Sequence, residues 1–215
     1  MKDLLQQLKK FPSTVELHIT VDLSESSVDE FKSVCEAQGV KPLLIKLVEG
    51  QYQDQPMISK FITGSPEEIY KEVILTRTRL ALWFPVLRVK VEVKYDGKGV
   101  PRTYEDVKSN NWQQEYFEFH MELNTHAWPG DEGLVQLNKR LAPGGVSLST
   151  NVNGKVLCAQ RVRSTPLSAA MLELKSLQDR LRTLRVPWKD CVKEFNIYDS
   201  NTSIDKGCYG DKTCA

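Results

Sequence analysis

Apolar and polar residues alternate strictly in two places along the chain, "VELHITVDL" (15–23) and "YFEFHMELN" (116–124). Alternation of that kind is the signature of a strand with one buried face. Each stretch opens a longer pattern. After the first comes "SSVDEFKSVCEAQGV", in which Ser27 and Glu30 are spaced as a capping box, Val28, Phe31 and Val34 share a helix face, and Gly39 supplies a stop. Two apolar runs, "KPLLIKLVEG" and "QPMISKFIT", then read as a hairpin with a loose turn. "GSPEEIYKEVILTRTRLALW" opens on Ser65 as cap, with Pro66 at the first helical position and two glutamates in the first turn, and Pro85 ends it. "VLRVKVEVKYD" closes the unit as a half-buried strand, Val89, Val91 and Val93 alternating with Arg88, Lys90, Glu92 and Lys94.

The second half repeats the order: strand "YFEFHMEL", helix "DEGLVQLNKRLA" ending at Gly144 and Gly145, strands "GVSLSTNV" and "KVLCAQRVRS", a long helix opening at Thr165 and Pro166, and a strand in "CVKEFNIYDSN". Glu16 and Glu118 are offset by 102 positions, as are His18 and His120. A pattern written twice points to duplication. The expected fold is α+β, two tandem ferredoxin-like (βαββαβ) repeats with antiparallel sheets and helices on one face of each. The expected divisions are an N-terminal helix at 1–12, repeats at 13–96 and 115–199, a linker at 97–114 and an irregular tail at 200–215.

Side chains alternate faces along a strand. With Leu17, Ile19 and Val21 turned to the helices, Glu16, His18 and Thr20 occupy the other face. Glu118, His120 and Glu122 do so in the matching strand, joined by Arg88 and Lys90. The bare face of each sheet is expected to meet that of the other half, bringing His18 and His120 into a polar cleft near a pseudo-two-fold axis, with face-to-face and edge-to-edge packing of the sheets as the two alternatives. Arg88, Lys90, Arg161 and Arg163 would line the same cleft and favour a small anionic or phosphorylated ligand.

Composition narrows the alternatives. The 215 residues are 40% hydrophobic and 27% charged, as in an ordinary globular protein, and the net charge of +1 argues against a DNA partner. The longest apolar stretch, "LALWFPVL", is too short to span a membrane. Five widely spaced cysteines and no signal-peptide pattern fit a reduced, cytoplasmic chain, with Cys208 and Cys214 able to pair under oxidation. RNA recognition by the open sheet face would need stacking aromatics, and only Tyr116 qualifies. The polar run "DSNTSID" after the last strand carries groups that bind an anion or cap a turn.

"HIT" at His18 to Thr20 resembles the His-x-Thr/Ser signature of the 2H phosphoesterases, duplicated proteins in which each repeat gives one histidine to a central cleft. The resemblance implies His18 and His120 as an acid/base pair and Thr20 as a phosphate contact. The second motif departs from the pattern, with Glu122 in place of the hydroxyl residue. Taken whole, "ELHITV" (16–21), "QPM" (55–57), "YFEFH" (116–120) and "YDSN" (198–201) resemble an uncharacterised family of tandem ferredoxin-like proteins, which implies that Glu16, His18, Glu118, His120 and Asp199 act together. Two Glu-x-His pairs also offer ligands suited to Zn, Mn or Fe. No local metal motif accompanies them, so neither metal nor cofactor is assigned. A structural role without any ligand is the remaining alternative.

Overall fold

The computed structural model describes residues 3–11, 14–109, 115–205 and 207–209. Its first half runs α1 (Leu4–Leu8), β1 (Thr14–Val21), α2 (Val28–Ala37), β2 (Lys41–Leu47), β3 (Asp54–Thr63), α3 (Pro66–Ala81) and β4 (Val86–Lys94). A short helix, α4 (Tyr104–Ser109), lies in the connection. The second half follows with β5 (Tyr116–Leu123), α5 (Gly130–Leu141), β6 (Val146–Asn151), β7 (Val156–Arg163), α6 (Leu167–Thr183) and β8 (Trp188–Asp199).

The sequence signals fix most boundaries. Ser65 and Glu68 form a complete capping box at the start of α3, whereas at α2 Ser27 Oγ accepts from the Glu30 amide. Gly39, at φ 64°, takes the left-handed conformation that ends α2, and Gly145, at φ 66°, does the same after the 3-10 turn Ala142–Gly144. Thr165 does not cap α6, which starts at Leu167 after Pro166.

The expectation of two open sheets facing each other does not hold. All eight strands form one closed antiparallel barrel in the order β1-β3-β2-β6-β7-β5-β8-β4, with β4 returning to β1. The halves meet edge to edge at two seams. At one, β2 pairs β6 through Ile45↔Asn151, Lys46↔Thr150 and Leu47↔Ser149; at the other, β4 pairs β8 from Lys90↔Asp199 to Lys94↔Glu194. Two open four-stranded sheets would leave four edges with unpaired backbone groups. Joining them at both seams satisfies every edge, and strand twist supplies the curvature that closure needs.

Closure turns the usual arrangement inside out. Val15, Leu17, Ile19 and Val21 of β1 and Val89, Val91 and Val93 of β4 are buried on the outer wall, under α2 and α3. Phe117, Phe119 and Met121 of β5 lie under the helices of the second half. Phe31 of α2 meets Phe84 edge to face at 5.7 Å. Phe84 is buried below the helix-ending Pro85, and Trp83 beside it is 57% exposed. Leu4 and Leu8 of α1 are buried against α3 and β8. With the apolar residues spent on the outside, the alternate positions of every strand point into the lumen, and these are mostly polar.

Candidate functional site

The lumen is lined by the residues that alternation placed on the bare face. His18 stands beside Ser59 and Lys90 in the registers of β1 with β3 and β4, and Glu118 stands beside Arg161 and Glu194 in those of β5 with β7 and β8. The expected cleft between sheets is therefore a barrel interior.

Each histidine lies between two carboxylates of its own half. His18 Nε2 is 3.1 Å from Glu92 Oε2 and 3.5 Å from Glu16 Oε1. His120 Nε2 is 3.5 Å from Glu194 Oε2 and 3.7 Å from Glu118 Oε2. Glu92 and Glu194 keep the spacing of His18 and His120, so the two Glu-His-Glu triplets are counterparts. They also converge, since Glu92, His120 and Glu194 each bring one donor atom within 4.8 Å of the others.

From there a chain of alternating charge runs along the lumen. Lys90 Nζ lies 3.0 Å from Glu92 Oε1 and donates to Glu118 Oε2 at 2.6 Å. Arg161 Nε donates to Glu118 Oε1 at 2.7 Å. Both Arg161 Nη1 (2.5 Å) and Arg88 Nη1 (2.8 Å) donate to one oxygen, Asp205 Oδ2. Arg88 also clasps Asp199 through Nε at 2.8 Å and through Nη2, and the Tyr116 hydroxyl donates to Asp199 Oδ2 at 2.8 Å. Charges taken out of water are tolerated only when paired in this way.

The electrostatics follow from the pairing. Burial alone would raise the Glu118 carboxyl, but Arg161 and Lys90 hold it well below the usual range. Glu92 is likewise lowered to about 2, because Lys90 and His18 outweigh its burial, and Asp205 is lowered to about 2 by Arg161 and Arg88 against its burial. Glu194 goes the other way. Burial, reinforced by the neighbouring charge of Glu92, pushes it up to about 8. At His120, burial is outweighed by the hydrogen bond and charge of Glu118, and the imidazole is raised.

Asp205 does not belong to the barrel wall. After β8 the chain forms a 3-10 turn, Thr202–Asp205, and continues into the lumen, where Cys208 and Tyr209 pack on Leu47 and Ala159. The Tyr209 hydroxyl donates to Glu118 Oε1 at 3.2 Å, and the Arg161 guanidinium lies 4.3 Å from the Tyr209 ring centre. Gln55 Nε2 of β3 donates to Asp205 Oδ1 at 3.0 Å. Thr202–Asp205, Cys208 and Tyr209 thus form a plug. Cys214, the suggested oxidation partner of Cys208, lies outside the described residues.

The residues singled out from the sequence divide accordingly. Glu16, His18, Glu118, His120, Arg88, Lys90 and Arg161 meet in the lumen, and Thr20 is buried beside Arg88 in the register. Arg163 stacks its guanidinium on the Tyr116 ring at 4.5 Å. Glu122 sits at the rim, held by Lys155 Nζ at 2.8 Å and near Lys189 Nζ at 3.8 Å. Tyr116 is 1% exposed and offers no stacking platform. His126 lines a hollow of about 800 Å³ together with Glu122 and Trp128, and a second hollow of about 680 Å³ lies beside Leu44, Tyr52 and Asn151. Sequence reasoning missed Gln55, Glu194, Asp205 and Tyr209. Glu194 was readable from its offset to Glu92, and Asp205 from the polar run after β8.

No family model matches the chain, and no curated protein is similar to it. Among solved structures it is similar to a protein assigned as a glycine cleavage system transcriptional repressor, at 16% identity and TM-score 0.25, covering 85% of this chain and 97% of that one. It is also similar to mutant forms of chlorite dismutase from Candidatus Nitrospira defluvii. One matches at 12% identity and TM-score 0.29, covering 94% of this chain and 97% of that one. Another, in complex with cyanide, matches at 13% identity and TM-score 0.28, covering 91% of this chain and 95% of that one. Likeness at this level carries no functional information. Among the described residues, no helix is long and apolar enough to cross a membrane.

Proposed function

We propose that the protein binds a small anionic ligand in the barrel lumen, and that its acidic group enters the clamp now filled by Asp205. One observation carries this reading: Arg88, Arg161 and Gln55, from three different strands, converge on a carboxylate supplied by the tail. A pair of guanidiniums and an amide is the donor set that recognises a carboxylate or a phosphate. The wall provides the donors and the plug provides a stand-in for the ligand. Binding therefore competes with the tail.

The test is a melting-temperature series with inorganic phosphate and with a small dicarboxylate, run on the intact chain and on Asp205→Asn. A ligand specific for the native state stabilises it by mass action. The expected result is a larger anion-dependent rise in the variant, whose plug no longer fills the clamp with charge. Equal responses in both proteins, or none in either, would reject the reading, and which anion responds distinguishes carboxylate from phosphate. A hydrolytic form of the same proposal uses His18 and His120 as acid and base on a phosphodiester. It requires turnover that disappears in both His18→Ala and His120→Ala.

A further inference from the structure

At the other end of the charge chain the lumen changes character. Glu16, Glu92 and Glu194 gather round the two imidazoles, and among the described residues Lys90, paired with Glu92, is the one ammonium in contact with this group. We propose that Glu92, His120 and Glu194 form a binding site for one divalent transition-metal ion of the Zn²⁺ or Mn²⁺ class. This site is independent of the anion clamp.

Three features support it. The donor atoms come from three strands, β4, β5 and β8, and lie within 4.8 Å of one another. Metal–nitrogen and metal–oxygen bonds of about 2.0–2.2 Å place adjacent donors roughly 3–3.5 Å apart, so rotamer-scale movement closes the set. Glu92 is 1% exposed, and neither of its carboxylate oxygens accepts a hydrogen bond. Its neighbours, His18 Nε2 at 3.1 Å and Lys90 Nζ at 3.0 Å, orient the group and leave lone pairs available. Thirdly, the His120 side chain is 33% exposed and Glu194 15%, which provides an entry path.

One imidazole and two carboxylates suit a borderline divalent ion better than a soft one, and better than Ca²⁺, which takes an all-oxygen shell. His18, in contact with Glu92, is then a positioning residue of the kind that holds a ligand in place.

The experiment titrates the intact, metal-stripped chain with Zn²⁺ by calorimetry and with Co²⁺ by visible absorption. The expected result is one saturating equivalent in the native protein. A loss of at least tenfold in affinity is expected in Glu194→Gln and in His120→Asn, a tenfold to hundredfold loss in His18→Ala, and no change in His126→Ala. Gln matches the shape of the Glu194 side chain, and His120 is partly exposed, so at least one of these two variants is expected to keep its fold by circular dichroism. Absence of a saturating equivalent in the native chain overturns the proposal. So does unchanged affinity in either folded ligand variant. Asp205→Asn should bind the metal normally, so a result there bears on the anion clamp alone.

Discussion

Replacing Asp205 by Asn removes one charge from a site where two guanidiniums share a single oxygen. Asn keeps the size and one carbonyl oxygen, so the loss is electrostatic rather than a cavity. Two routes give its size. Hydrogen bonds to charged groups contribute about 1.5–3 kcal/mol each, and Arg88 and Arg161 retain Asp199 and Glu118, which places the cost near 2–3 kcal/mol. The carboxyl is lowered from 3.8 to about 2 in a residue 3% exposed, and at 1.36 kcal/mol per unit this is again roughly 2 kcal/mol. The sign is that of a depressed carboxyl: the stabilisation is complete above the unfolded value near 3.8 and is lost as pH falls through it toward 2. Urea unfolding at pH 7, followed by circular dichroism, should show the variant less stable by about 2 kcal/mol with an unchanged denaturant slope. The deficit should shrink when both proteins are compared below about pH 3.5. A variant within about 0.5 kcal/mol of the native chain at pH 7 would refute the reasoning, because surface substitutions lie in that range. The plug would then not be seated on the two arginines.

Lys90→Met leaves Glu92 and Glu118 facing each other without the ammonium between them, and should cost about 3–5 kcal/mol in urea unfolding. Adding Glu118→Gln to it should recover part of that loss, and failure to do so would argue against direct pairing. Phe31→Ala empties a fully buried position packed edge to face on Phe84 and should cost about 3–5 kcal/mol in the same assay. Ser65→Ala breaks the capping box of α3 and should lower stability by about 1 kcal/mol, measured the same way.

The alternation in β1 and β5 was enough to place Glu16, His18, Glu118 and His120 on a shared polar face, and the caps of α2 and α3 marked where those helices start. What alternation cannot carry is the identity of an edge partner. Lys46 and Thr150, which face each other across a seam, have nothing in their side chains that distinguishes closure into a barrel from two sheets laid face to face. The plug was hidden for a related reason. Asp205 lies in a polar run that looks like an ordinary turn, and only the position of Arg88, Arg161 and Gln55 on three separate strands makes it a counter-charge.

The two seams differ in length, three register pairs at β2–β6 against five at β4–β8. The shorter one has fewer bonds to break. When those few hydrogen bonds part, the cylinder becomes a curled ribbon hinged along β4 and β8, and water reaches the arginines without disturbing the greasy outer layer. The backbone amide of Val48, which donates to Leu148 O across that seam, should then exchange deuterium well before those of Val91 or Val93, with passage into the interior limited by how often that zip comes undone.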